Sequence, residues 1–213
     1  MLFIQHLFKN PSYFFMVCLI VTFSVCFHEF CHAWIATREG DYTLEDHLTL
    51  NPLKQMGITS LIMLAIVGIA WGAVPVHSEL LRSRKSLLKI SLAGPAANLF
   101  LLILAWGVLL LFSCTFHGEQ ISSTEKVVFM FIYIFGIYNF VLFVFNLLPV
   151  PGLDGWVILC RLFPKLNNVS SEWIKGAMML VMLLAFMGVR FLFAAGEIVM
   201  KLALLCAGFF MGA

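Results

Sequence analysis

The sequence is poor in charge. Lys, Arg, Asp and Glu make up 11 % of its 213 residues, against about 25 % in a typical soluble domain. That scarcity excludes a disordered charged tail, a coiled coil, a nucleic-acid-binding surface and an ordinary soluble enzyme. A net charge of +2 argues for no polyanionic partner. The six cysteines, Cys18, Cys26, Cys31, Cys114, Cys160 and Cys206, contain no C-x-x-C pair. They form neither a zinc-knuckle pattern nor a disulfide framework and read as packed, reduced thiols. No internal repeat, low-complexity tract or appended soluble domain is visible. Aspartate is scarce, with only Asp41, Asp46 and Asp154.

What is abundant is apolar surface: 62 % of residues, including 22 Phe and 11 Met. This composition predicts an integral membrane protein of all-α, polytopic type, a single unit over 1–213 with its core at about 13–160. A helix needs about 20 apolar residues to cross a bilayer. Such runs lie at Tyr13 to about Ala36, Ile90–Phe112 and Val127–Leu148, with another from Gly176 onward that reads as one span or two. The first run is too long for a signal peptide and no small-x-small site follows it. Ile58–Val74 is shorter, contains Gly68 and Gly72, and ends at Pro75. Four to six membrane segments are expected, with this one re-entrant. Tyr42–Leu50 is expected to form a short membrane-associated β-hairpin, and 156–175 an amphipathic stretch. Residues 161–213 make the C-terminal membrane segment.

The first run ends in His28-Glu29-Phe30-Cys31-His32, an H-E-x-x-H pattern. On a helix, residues four apart share a face, so both imidazoles reach one metal ion with Glu29 beside them. Two neutral imidazoles suit zinc, and a glutamate can take a proton from zinc-bound water, whose pKa falls to about 7. A carboxylate within a membrane helix is itself a pointer to function. A catalytic zinc usually has three protein ligands. Of the remaining histidines, His6, His47, His77 and His117 fall before the first span or in loops. The better third ligand is Asp154, in Asn146-Leu147-Leu148-Pro149-Val150-Pro151-Gly152-Leu153-Asp154-Gly155. Two prolines and two glycines break the helix there, and irregular backbone at membrane depth is tolerated where it lines a cavity. Capping of the next helix is the competing role for Asp154.

H-E-x-x-H in an early span and N-x-x-P-x-P-x-L-D-G in a later one resemble the site-2 protease family of intramembrane zinc metalloproteases. Leu48-Thr49-Leu50-Asn51-Pro52-Leu53 and Ala93-Gly94-Pro95-Ala96-Ala97-Asn98 resemble its small bacterial branch without a PDZ domain. The resemblance covers roughly 13–160. It implies one zinc per chain held by His28, His32 and Asp154, with Glu29 as catalytic base and Asn146 near the metal. The implied function is hydrolysis of a peptide bond in or near a transmembrane helix of a membrane-protein substrate. It also implies a bacterial plasma membrane, with the lipid bilayer as surroundings and no nucleic acid. The chain departs from the branch at Gly72-Ala73-Val74-Pro75-Val76, where members often carry a Lys before a longer Pro-Val loop. The rival function is a non-proteolytic zinc-binding scaffold or transporter. Against a transporter, the ionisable residues cluster in one place, apart from Arg190, Glu197 and Lys201, which read as structural. The oligomeric state is not legible.

The ligands must meet at one depth. If Ile58–Val74 crossed the bilayer, three crossings would separate His32 from Asp154 and place them on opposite sides. If it returns, two crossings bring them together. Arg82, Arg84, Lys85, Arg161, Lys165 and Lys175 then all face the cytoplasm, as the positive-inside rule requires. The active site is expected toward the cytoplasmic leaflet and the N-terminus outward. Residues 42–50 are the expected strand edge for an unwound substrate.

Overall fold

A computed structural model describes residues 2–83, 85–115, 122–164, 166 and 171–211. Helices α1 (Gln5–Lys9) and α2 (Pro11–Arg38) are separated by Asn10, whose side chain accepts the Tyr13 N–H at 3.2 Å while Pro11 opens α2. Short α3 (Pro52–Gln55) and α4 (Gly57–Val67) follow. Long helices α5 (Ser86–Thr115) and α6 (Ser123–Asn146) come next, then α7 (Asp154–Leu162) and a continuous α8 (Ser171–Met211). Helices α2, α5 and α6 are each long and apolar enough to cross a membrane. The stretch from Gly176 onward is thus one helix with the preceding residues, without a break at Arg190. In it Glu197 and Lys201 pair at 3.4 Å across one turn, as their spacing suggests.

The polarity of the bundle is reversed relative to a water-soluble protein. Phe15, Leu19, Phe100 and Ile103 are exposed, whereas Ser24, Asn98 and Asn139 are fully buried. Lipid tails solvate apolar side chains as well as a core does, so the interior collects the groups that need polar partners. Helix α5 is the hub, packing against α2, α6, α7 and α8. Leu102, Ala105 and Leu109 of α5 meet Ile137 and Val141 of α6 and Met200 of α8. Gly136 leaves the space that the Met200 thioether fills.

Ile58–Val74 does not cross as a helix. At about 1.5 Å per residue, the 11 residues of α4 rise about 16 Å, half of a hydrocarbon core of about 30 Å. Gly68 takes a left-handed conformation (φ +85°) and its N–H bonds back to Met63 and Leu64. The chain then returns. The Ser60 hydroxyl accepts from the Trp71 N–H and donates to the Trp71 carbonyl, and the Ala73 N–H reaches the Gln55 carbonyl at 3.2 Å. Both ends of the segment therefore lie together. The turn end of α4 is closed by the Ile4 N–H, which bonds the Ile66 carbonyl at 3.1 Å.

The expected β-hairpin at 42–50 is not present, and no strand occurs among the described residues. Tyr42–His47 is a 3-10 helix. The reason is local. Asp41 accepts from the Thr43 N–H and hydroxyl, and Asn51 accepts from the Leu53 N–H to start α3. Those side chains take the donors that a strand ladder would use. The basic residues Arg82 and Lys89 sit at the C-terminal end of α2: the Arg82 N–H bonds the Glu39 carbonyl, and Lys89 pairs with the Glu39 carboxylate. Arg84, Lys165 and His117 lie outside the described residues.

Asp41 is the anchor of this end. It is fully buried and also accepts the His77 N–H at 2.8 Å. Burial works to raise its pKa, but the Thr43 hydroxyl and the His77 and Thr43 N–H groups outweigh it and hold the carboxyl below its usual value. A lowered folded-state value means stabilisation that is complete above the unfolded pKa of about 3.9 and is lost as pH falls through the folded value. Thermal melts in detergent should therefore show Asp41→Ala destabilised by about 1–2 kcal/mol at neutral pH, with the gap to wild type closing on acidification below about pH 4.

Candidate metal centre

Two helical stripes face each other across the α2–α5 contact. Residues four apart recur on one face of a helix, so Ser24, His28 and His32 line one side of α2 and Ile90, Gly94 and Asn98 one side of α5. The helices run antiparallel and the stripes are in register. The His28 Nδ1 lies 2.6 Å from the Asn98 Oδ1, and the His32 Nδ1 lies 2.7 Å from the Ile90 carbonyl oxygen. Both rings thus use their outer nitrogen on α5 and turn Nε2 inward. The two Nε2 atoms are 2.9 Å apart.

Asp154 completes the cluster. Its Oδ2 lies 3.2 Å from the His28 Nε2 and 3.3 Å from the His32 Nε2. Asp154 is the first residue of α7, after the N-cap Leu153, and its carboxylate faces both imidazoles. The broken backbone after α6 delivers it. Gly152 adopts φ +99°, and a Cβ at Gly155 would collide with the Leu147 and Leu148 carbonyls, so only glycine lets α7 start against the end of α6.

These three groups can hold a metal ion. The fit rests on two observations. Tetrahedral zinc with bonds of about 2.0–2.1 Å has ligand–ligand edges of about 3.3 Å, and the three atoms lie at 2.9–3.3 Å. Second, a Cβ at Gly94 would fall against the Nε2 atoms of both His28 and His32. Glycine alone keeps that space open between the imidazoles. Pro95 has no N–H to return to the Ser91 carbonyl, which loosens the same turn of α5 where the Ile90 carbonyl receives His32.

A cavity of about 400 Å³ opens over the cluster. Glu29 is buried and lines it, as do Asn146 and the Asn98 side chain. Its roof is the returning chain 70–74. Gly72 packs so closely on Glu29 that a Cβ there would collide with the carboxylate. Asn146 gives one amide hydrogen to the Leu142 carbonyl at 2.9 Å. Of the other described histidines, His6 packs on Phe3 and Tyr13 and His77 leans on Asp41, while His47, its buried Nδ1 without a hydrogen-bond partner, lies within electrostatic reach of Glu29. The sequence reading overlooked the polar contacts behind His28. Asn139 donates to the Ser24 hydroxyl and accepts from Asn98. The available signal was two amides isolated in apolar spans.

Residues 113–189 match the description "Peptidase family M50". The chain is 34 % identical over 153 residues to "Putative zinc metalloprotease YwhC" of Bacillus subtilis, covering 70 % of this chain and 68 % of that protein. It is 37 % identical over 158 residues to "Putative zinc metalloprotease Rip2" of Mycolicibacterium smegmatis, covering 70 % of this chain and 56 % of that one. Against Rip2 of Mycobacterium tuberculosis the identity is 33 % over 145 residues, covering 64 % and 52 %. The chain therefore spans little more than half the length of the Rip2 proteins. No solved structure matches it.

Gly94→Ala should fill the space between the imidazoles with a methyl group. Metal analysis of the purified variant should show at least about tenfold weaker zinc retention than wild type, whereas Gly107→Ala, in open space on the same helix, should retain it fully.

Proposed function

The chain belongs to peptidase family M50, whose relatives here are named zinc metalloproteases, and from that premise we propose that it cleaves membrane-protein substrates within or near a transmembrane helix. The observation that carries this reading is the meeting of His28, His32 and Asp154 within 2.9–3.3 Å, beside a buried glutamate in a cavity reached by chain of no regular structure.

In this reading His28, His32 and Asp154 hold one zinc per chain. When bound, zinc supplies a Lewis acid and a water acidic enough to ionise near neutral pH. Glu29 accepts the proton of the attacking water and hands it to the leaving amine. Asn146 spends one amide hydrogen on Leu142 and offers the other to the oxygen of the scissile carbonyl. The cavity walls exclude bulk water and admit a single extended segment.

A transmembrane substrate hides its peptide bonds in its own helix and must unwind before cleavage. The strand edge expected at 42–50 is a 3-10 helix, so we place the docking edge at 70–74 instead. The backbone groups of Trp71 and Ala73 bond inward to Ser60 and Gln55. Along a chain of period two, Ala70 and Gly72 turn theirs to the cavity side, while the Val74 carbonyl accepts the Val76 N–H. The absence of a side chain at Gly72 lets substrate backbone approach Glu29. We further assign the Arg82–Lys89 end to the cytoplasm, with the N-terminus outward and the protein in a bacterial plasma membrane.

Glu29→Gln should keep zinc and lower cleavage of a transmembrane reporter by at least about 10²–10⁴-fold; cleavage surviving at wild-type rate refutes the assigned base. Asp154→Ala should purify with far less zinc than wild type, and equal content would remove Asp154 from the ligand set. For the orientation, single cysteines placed at 78–83 should react with impermeant reagent only from the cytoplasmic face, and labelling from outside would invert the assignment.

A further inference from the structure

Three polar side chains that the proposed chemistry leaves unused form a connected path across the bundle. Ser24 on α2, Asn98 on α5 and Asn139 on α6 are all fully buried. The Asn98 Nδ2 donates to the Asn139 Oδ1 at 3.1 Å, and the Asn139 Nδ2 donates to the Ser24 Oγ at 3.0 Å and to the Phe135 carbonyl at 2.9 Å. The path ends at the His28 Nδ1.

Its direction follows from one acceptor. A backbone carbonyl cannot donate, so the group facing Phe135 must be the amide nitrogen of Asn139. The Asn139 oxygen then faces Asn98. Asn98 can answer only with its own nitrogen, which turns its oxygen to His28. An oxygen at 2.6 Å from Nδ1 requires the hydrogen on Nδ1. The Nε2 of His28 is then a bare lone pair aimed at the metal space. Reversing any amide on the path sets oxygen against oxygen in a buried site. His32 obtains the same tautomer from the Ile90 main chain, which no substitution removes.

We propose that Asn98 and Asn139 are positioning residues that lock the tautomer and ring orientation of His28 and thereby set how tightly zinc is held. This rests on the reading of His28 as a zinc ligand. Asn98 acts by direct contact. Asn139 touches no ligand and acts only through Asn98, with the Phe135 carbonyl as the fixed end of the path. Helices α2, α5 and α6, each long and apolar enough to span a membrane, are thus coupled to one imidazole.

The test is zinc retention by the full chain in detergent, challenged with a graded chelator, with melting temperature recorded for each protein. Four proteins are compared: wild type, Asn98→Leu, Asn139→Leu and Asn139→Asp. A protonated Asp at 139 offers its hydroxyl to Phe135 and its oxygen to Asn98, so it preserves the direction. Asn98→Leu should hold zinc about 10–100-fold more weakly, Asn139→Leu about tenfold, and Asn139→Asp within about threefold of wild type. A role in helix packing alone would lower melting temperature without this order of zinc affinities. Wild-type retention in both leucine variants overturns the proposal, as does equal loss in Asn139→Asp and Asn139→Leu. If a leucine variant does not fold, Asn139→Asp decides: retention supports the path and loss overturns it. A wild type that binds no zinc would instead remove the zinc-ligand reading itself, so the two failures are separable.

Discussion

Everything in this bundle answers to one requirement: three donor atoms from segments more than a hundred residues apart must meet at a single depth. His28 and His32 come from α2 and Asp154 from the start of α7, and their atoms lie within 3.3 Å. An odd number of crossings between them would put them on opposite faces. The chain turns back at Gly68, and between the two motifs α5 and α6 are each long and apolar enough to cross a membrane. Where α5 passes the imidazoles it carries Gly94, because a side chain there would occupy the space between the His28 and His32 Nε2 atoms. Topology and a single missing methyl group serve the same end.

The reversed polarity follows from the solvent. Hydrocarbon offers no partner to an amide or carboxylate, so such groups must find each other. Ser24, Asn98 and Asn139 do so inside the bundle, and Asp41, Glu39 and Arg82 do so at its polar end. Apolar residues such as Phe15, Leu19, Phe100 and Ile103 face outward at no cost, while Leu102, Leu109 and Met200 pack the interior. Breaks in regular backbone occur where side chains or main-chain partners take up the freed groups, as Ser60 does for Trp71.

Much of this was legible in the residues. H-E-x-x-H and the lone late aspartate could be paired because helix periodicity is local and aspartate is rare here. The turn within Ile58–Val74 was hinted at by its short length and by Gly68, where the chain reverses. The misread segment, 42–50, had the look of strand sequence, but Asp41 and Asn51 captured its backbone donors, and that outcome turns on which side chain reaches first. The path from Phe135 to His28 was invisible because it joins positions 24, 98 and 139. No pattern in one dimension announces a contact between three helices. The unbroken course of α8 was equally hidden, since Arg190 in an apolar run does not say whether the helix ends there.

The closure of α4 by residue 4 bears on biogenesis. An apolar helix of 11 residues is too short to hold itself in a bilayer. Its last turn receives an N–H from Ile4 and its Gly68 packs on Phe3, both made some sixty residues earlier. Chains are synthesised from the N-terminus. When α4 is made, the residues that close its tip already exist. The order of synthesis thus supplies the partner before the short helix that leans on it.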